Sequence, residues 1–120
     1  VPATIKRVVQ CSGKIYYDLL AELEKNPDPS IALVRIEQLY PLPATELRAI
    51  AEKYSNAEFI WAQDEPENQG VWPYFIIESN KLGPVPVNVA SRPASASPAV
   101  GSAKRHADEQ TDLIRRALGR

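Results

Sequence analysis

Four short apolar runs, each followed by a segment with helical periodicity, are the feature that most constrains the fold of this chain. The runs cover residues 7–11, 31–36, 58–63 and 85–90, and each is too short for a typical helix. In the segment behind the first run, apolar side chains recur every three or four residues, at Tyr16, Leu19, Leu20 and Leu23. Four strand-helix repeats predict a three-layer α/β/α domain built on a mainly parallel sheet, for which we expect the flavodoxin-like strand order 2-1-3-4.

Prolines and glycines mark the ends of the predicted elements. The prolines within residues 26–29 end the first helix, and those within residues 40–43 impose an extended connection before a second helix, with Thr45 or a neighbour as its cap. Pro86 favours an edge position for the fourth strand, because proline donates no ladder hydrogen bond. The second run is apolar on both faces, which predicts a strand covered above and below.

Two further helices complete the predicted order of elements. Residues 71–81 are apolar on nearly all sides, so this helix is expected to need cover on more than one face. The last helix is predicted to share one inward face among Ala103, Ala107, Gln110, Ile114 and Ala117.

Length and charge restrict the classes of protein to which the chain can belong. Its 120 residues suit one domain over residues 1–120, and 14 basic against 15 acidic residues give a net charge of -1. This balance argues against nucleic acid or an anionic membrane as a partner, and no apolar stretch approaches the roughly 20 residues of a bilayer span. The single cysteine, Cys11, forms no internal disulfide and is expected to act as a small core hydrophobe.

Loops that follow the carboxyl ends of parallel strands gather at one edge of a sheet, where ligands bind. The first such loop carries Ser12, Gly13 and Lys14 at the start of a helix, where free N–H groups favour an anion. The fourth, residues 91–102, is dominated by small residues, hydroxyls and prolines, carries the basic Arg92 and is expected about 10 Å away. A local anion site is one interpretation. The alternatives are a compact strand-to-helix turn for the first loop and a proline-stiffened packing segment for the fourth.

The third loop, residues 64–70, concentrates the carboxylates of Asp64, Glu65 and Glu67. Clustered acids serve acid/base chemistry or bind hard metals. Acids before a helix also favour its dipole, and Gly70 suits a tight turn, so a structural or interface role is the preferred interpretation. His106 has no orienting partner in the sequence, and no nucleophilic pair is predicted.

Four segments, in order, resemble the C-terminal part of 2-oxoglutarate dehydrogenase E1 enzymes: residues 11–20, 32–43, 65–70 and 92–101. The resemblance implies a transketolase C-terminal-domain-like fold. It also implies a larger parent subunit that decarboxylates 2-oxoglutarate on thiamine diphosphate with magnesium. The parent passes the succinyl group to the lipoyl arm of its E2 partner in the citric acid cycle. We therefore expect a C-terminal domain of such a subunit, inactive by itself, with no catalytic, cofactor-binding or metal-binding residue of its own.

The resemblance also implies partners and site residues. The expected partners are the remaining E1 domains, the second E1 subunit, E2 and, as effectors in some bacterial members, AMP or acetyl-CoA. The candidate effector contacts are Lys14, Arg92, Ser95, Ser97 and Lys104. The candidate residues of the interface, or of active-site support, are Glu65, Asn68, Gln69, Gly70 and Trp72.

The resemblance also bears on where the protein acts, and two alternative functions remain open. A bacterial cytoplasm is favoured over a mitochondrial matrix. The first alternative is an autonomous nucleotide-binding module. The second is the equivalent domain of another transketolase-like enzyme, which the matches at residues 65–70 and 96–101 disfavour.

Overall fold

Strands and helices alternate along the whole of the described chain. A computed structural model describes residues 4–37, 44–82, 87–92 and 103–120, with the backbone alone for residues 44, 79–82 and 103–106. The elements in order are β1 (Arg7–Cys11), α1 (Ile15–Lys25), β2 (Ile31–Arg35), α2 (Ala44–Lys53), β3 (Glu58–Pro66), α3 (Trp72–Leu82), β4 (Val87–Arg92) and α4 (Ala103–Ala117).

The four strands form one parallel sheet in the order β2-β1-β3-β4, which confirms the predicted order. Val9 of β1 pairs with Leu33 of β2 and with Ile60 of β3, so β1 and β3 are the central strands. β4 lies at one edge, as predicted. β2 lies at the other edge: Ile31 and Leu33 pack on the core of one face and Val34 on that of the other, so both faces are covered as predicted, but these residues are only half-buried.

Helices cover both faces of the sheet, which confirms the three-layer architecture. α1 and α4 pack on one face in a core that includes Cys11, Leu19, Ile60, Leu113 and Ala117. α2 and α3 cover the opposite face in a second core of Ile36, Leu47, Trp61 and Phe75. The rings of Trp61 and Phe75 stack with centroids 4.5 Å apart. Because side chains alternate along a strand, Gln63 points to the same face as Trp61, and Asp64 points towards α4.

Two strands extend further than the sequence predicted. β3 continues to Pro66 and β4 to Arg92, into residues expected to be polar loops. The pairing steps from Ala62–Ala90 to Pro66–Arg92, so three residues of β3 lie opposite one residue of β4 in a bulge. The backbone N–H of Glu67 donates to the carbonyl of Arg92 over 3.0 Å, which continues the pairing beyond the bulge.

Helix ends and faces also depart from the predicted pattern in places. α2 begins at Ala44, so Thr45 lies inside the helix, and the neighbour that precedes Ala44 lies outside the described residues. The inward face of α4 centres on the buried Leu113 and Ala117, whereas Ala107 is exposed. Among the described residues, no helix combines the length and the apolar character needed to cross a bilayer.

Candidate functional site

Side chains from four elements meet at the carboxyl edge of the sheet. Gln110 of α4 is their centre: its Nε2 donates to Asp64 Oδ1 of β3 over 2.9 Å and to Asp18 Oδ2 of α1 over 3.1 Å. Its Oε1 accepts a short hydrogen bond from Nη2 of Arg92, at the end of β4. A single amide thus joins two helices to two strands. The sequence analysis placed Gln110 on the inward face of α4 but assigned it no partner.

Arg92 is buried with its charge compensated inside the domain. Only 5% of it is exposed, and its Nη1 lies 3.5 Å from a carboxylate oxygen of Glu109. Its Nε donates to the backbone carbonyl of Asp64 over 2.7 Å. Removing one partner of a buried ion pair leaves an uncompensated charge and strongly destabilises a fold. Arg92 therefore holds α4 and β3 against the end of β4, in addition to any contact with a ligand.

Lys14 reaches the same group of side chains from the loop after β1. Its Nζ lies 3.5 Å from Asp64 Oδ2, and 78% of its side chain is exposed. An exposed pair of this kind contributes about 1 kcal/mol or less, so the ammonium can turn towards an incoming anion at little cost. The structure brings Lys14 and Arg92 together through Asp64 and Gln110.

The other predicted effector contacts are described less fully. Ser95 and Ser97 lie outside the described residues. Lys104 lies in the first turn of α4, where only the backbone is described, and the same holds for His106.

An aromatic and cationic cluster that the sequence analysis did not single out lies at the start of α1. The guanidinium carbon of Arg35 lies 5.4 Å from the ring centre of Tyr16 and 5.3 Å from that of Tyr17. Nη1 of Arg35 also donates to the Tyr17 hydroxyl over 3.1 Å, although Tyr17 remains 55% exposed. The signal in the sequence is the adjacent tyrosine pair, because neighbouring residues on a helix cannot both point into the core.

Gln63 organises the segment of residues 65–70, hereafter the 65–70 segment, and the sequence analysis missed it. Its Oε1 accepts from Trp61 Nε1 over 3.0 Å and from the backbone N–H of Trp72 over 2.8 Å. Its Nε2 donates to the carbonyls of Pro66 and Gln69, each over 2.8 Å. The available signal was an amide side chain at the end of an otherwise apolar strand.

The predicted interface residues all lie within the 65–70 segment or directly after it. Gly70 has φ +68°, and a Cβ added there would lie 2.9 Å from Cβ of Glu65, so both conformation and space favour glycine. Glu65 and Asn68 are exposed and Gln69 is half-buried. Trp72 is half-buried and packs on the second core. The candidate residues Glu65, Asn68, Gln69, Gly70 and Trp72 thus form one continuous stretch beside the N-terminus of α3.

The described residues offer neither a metal site nor a reactive thiol. No group of three or more histidine, cysteine or carboxylate side chains in the described part of the chain is arranged to hold a metal ion. Burial raises the pKa of the Cys11 thiol from 9.0 to about 12, with Arg35 opposing the shift and Asp64 adding to it. The predicted place of Cys11 in the apolar core is confirmed.

Fold and site together define a parallel α/β/α domain whose carboxyl edge is closed by a charged, hydrogen-bonded network. Comparison with known families then identifies its lineage. A family model described as 2-oxoglutarate dehydrogenase C-terminal matches residues 1–118. The chain belongs to this family, which confirms the resemblance found in the sequence.

Individual relatives agree with this assignment. The chain is 43% identical to a 2-oxoglutarate dehydrogenase E1 component of Haemophilus influenzae, over 98% of its length. It is also 43% identical to the E1 component of Cupriavidus necator, over 97% of its length, and 44% identical to an oxoglutarate dehydrogenase of Buchnera aphidicola, over 95%. The chain spans only 12–13% of the length of these relatives.

Proposed function

We propose that this chain acts as the non-catalytic C-terminal domain of a 2-oxoglutarate dehydrogenase E1 subunit, with a structural and regulatory role. The observation that carries the proposal is the family match over residues 1–118. The reaction belongs to the parent subunit, which decarboxylates 2-oxoglutarate on thiamine diphosphate and magnesium held by other domains. It then succinylates the lipoyl group of E2 in the citric acid cycle. The three relatives named above are bacterial, which supports a bacterial cytoplasm as the site of action.

Apolar groups left uncovered in this domain support docking on the rest of the subunit. Ile77 of α3 is 59% exposed, whereas Phe75 two residues earlier is buried. Val71 and Trp72 at the start of the helix are only half-buried. The half-buried edge strand β2 adds apolar surface. Contiguous exposed apolar patches mark protein interaction surfaces, and the proposal is that these groups belong to one such patch. The other E1 domains and the second E1 subunit are the proposed partners.

A hybrid subunit tests this function. The matching segment of the Haemophilus influenzae E1 component is replaced by this chain, and 2-oxoglutarate decarboxylation is measured with thiamine diphosphate and magnesium. We expect an active hybrid, an inactive subunit when the segment is deleted, and no decarboxylation by the 120-residue chain alone. A folded hybrid without activity, or turnover by the chain alone, would contradict the proposal.

The effector site is a second part of the proposal. Lys14, Arg92, Ser95, Ser97 and Lys104 are the proposed contacts for the phosphates or adenine of AMP or acetyl-CoA. The support is that Lys14 and Arg92 belong to one hydrogen-bonded group at the edge where ligands of parallel α/β sheets bind. Asp64 now compensates Lys14 and Glu109 compensates Arg92, so a phosphate would replace these carboxylate contacts with its own.

Calorimetric titration of the hybrid with AMP and with acetyl-CoA tests the effector site. Lys14→Ala and Lys104→Ala should each weaken binding about tenfold, the loss expected for one charge-assisted phosphate contact. Lys25→Ala is the matched control, because it removes the same charge from the far end of α1. Equal affinity in all four proteins would remove Lys14 and Lys104 from the site. Binding to the chain alone, with an inactive hybrid, would instead favour the autonomous nucleotide-binding module.

A further inference from the structure

Gln63 has its amide fully engaged by groups that lie on both sides of the 65–70 segment. The residue is 3% exposed. Its oxygen receives one N–H from the preceding part of β3 and one from the first residue of α3. Its nitrogen donates to two carbonyls within the segment over 2.8 Å each and to a third, that of Glu65, over 3.3 Å. The described hydrogen bonds therefore connect the start, the middle and the end of the turn from β3 into α3 through one side chain.

We propose that Gln63 is the positioning residue of the 65–70 segment, holding it in the one conformation that contacts the remainder of the E1 subunit. This inference rests on the proposed function. Gln63 contacts no partner itself, because it is buried. It acts through Gln69 and Trp72, the backbone groups to which it is bonded.

The bulge between β3 and β4 explains why this position needs an amide. The extra residues of β3 interrupt the regular ladder between Ala62 and Pro66, so nearby backbone groups need other partners. The Gln63 side chain supplies both an acceptor and a donor at this place. Without it, the indole N–H of Trp61 and the backbone N–H of Trp72 would lose their acceptor, and the carbonyls of Pro66 and Gln69 would lose a donor.

A segment ordered before contact loses less conformational entropy when a partner binds. The 65–70 segment presents the exposed Glu65, Glu67 and Asn68 at the edge of the sheet, next to the uncovered part of α3. Two exposed carboxylates here suit a partner surface that offers basic groups or backbone N–H donors. By fixing the segment, Gln63 fixes where those carboxylates lie relative to Ile77.

A second buried glutamine provides a matched control in the same layer. Gln10 of β1 is 4% exposed and pairs with Trp61 in the sheet, so it faces the same helices as Gln63. No hydrogen-bond partner for its Oε1 lies among the described residues. Replacing Gln10 by methionine removes a buried amide of the same size without releasing any segment of the backbone.

The experiment uses the full-length hybrid subunit and three variants: Gln63→Met, Gln63→Glu and Gln10→Met. Methionine keeps the volume of Gln63, and glutamate keeps its shape and acceptor oxygens but loses the amide donors. Hydrogen exchange followed by mass spectrometry compares peptides covering residues 63–72 with peptides covering β1, and decarboxylation is measured on the same samples. We expect exchange within residues 67–72 to rise about tenfold or more in both Gln63 variants, with unchanged exchange in β1 and reduced activity. Gln10→Met should match the wild type in both measurements.

Each other outcome has a distinct meaning. The proposal would be overturned if residues 67–72 exchanged as slowly in both Gln63 variants as in the wild type. It would also be overturned if these residues exchanged faster while the variants kept full activity. Equally faster exchange in β1 would show a general loss of stability and would also overturn it. An inactive wild-type hybrid would overturn the proposed function, whereas the exchange rates would still decide whether Gln63 orders the segment.

Discussion

The residues that define the carboxyl edge of the sheet are polar groups buried with their partners. Arg92 is compensated by Glu109 and by two acceptor oxygens, and Gln63 by two donors and two carbonyls. Neither residue type is common inside proteins unless its polar atoms are satisfied. Such residues fix one geometry, because a shifted neighbour would leave a buried polar atom unpaired.

Two glycines with positive φ should respond differently to alanine. Chain neighbours aside, no atom of the described residues lies within 4 Å of a Cβ added at Gly13 (φ +80°). Gly13→Ala should therefore cost about 1 kcal/mol, the penalty of the left-handed backbone conformation. Gly70→Ala meets Cβ of Glu65 at 2.9 Å, a carbon fixed to the backbone, so its cost should be about 3 kcal/mol. Urea unfolding monitored by circular dichroism measures both changes. Equal losses for the two variants would show that Glu65 moves aside easily.

The buried thiol predicts a loss of stability in alkali. Burial raises the pKa of Cys11 from 9.0 to about 12, so the folded domain keeps the proton where the unfolded chain releases it. The contribution of this group to stability is present below about pH 9 and is lost as the pH rises towards 12, by up to about 4 kcal/mol. The measurement is the free energy of unfolding between pH 8 and 11 for the wild type and Cys11→Ala. Parallel curves for the two proteins would contradict the pKa shift, because Cys11 is the one residue at which they differ.

At the scale of elements, α3 has one side built into this domain and one side left open. Phe75 stacks on Trp61 in the second core, whereas Ile77 is largely in solvent. α1 and α4 differ from it, since their buried residues form a single face towards the sheet. The helix that the sequence showed to be apolar on nearly all sides therefore leaves an apolar side chain uncovered among its described residues, as α1 does at the 55% exposed Tyr17.

Two substitutions in α3 separate folding from docking. Phe75→Ala removes a stacked core ring and should destabilise the domain by about 3–5 kcal/mol. Ile77→Asp should change the stability of the isolated chain by about 0.5 kcal/mol or less, because the side chain is already exposed, but should lower the activity of the hybrid subunit. Thermal unfolding and decarboxylation assays measure the two effects. Full activity of the Ile77→Asp hybrid would exclude this side of α3 from the interface.

At the scale of the whole molecule, the sheet order and the layers followed from local patterns in the sequence. The spacing of Leu47, Ile50 and Tyr54 identified α2, and the four-fold alternation identified the parallel sheet. The half-buried state of β2 could not be predicted from the sequence, because an apolar strand has the same residue pattern whether its cover comes from this domain or from a neighbour. The hydrogen bonds of Gln63 did not follow either, since they depend on a bulge set by pairing between β3 and β4. The sequence predicted that Lys14 and Arg92 lie at the same edge of the sheet, but it did not predict the side chains that connect them.

Covering the open apolar surface should stabilise the domain inside the subunit. Binding to the folded state alone raises apparent stability by mass action, and a covalently joined partner has a high effective concentration. We expect the domain to unfold at a higher temperature in the hybrid subunit than as the isolated chain, by several degrees. Calorimetry on both proteins measures the difference in unfolding temperature. The loss of hydrogen-exchange protection at residues 58–66 identifies the transition that belongs to this domain. A domain that unfolds at the same temperature in both proteins would argue against an extensive interface.

The position of Gln110 between Arg92, Asp64 and Asp18 has a consequence for how this family diversifies. An amide is the uncharged side chain that can accept from a guanidinium and donate to carboxylates simultaneously. A lineage that loses the amide must therefore replace the arginine or the aspartates as well. We expect these positions to covary among homologues, whereas the exposed positions Asp112 and Arg115 on the outer surface of the same helix should drift independently of them.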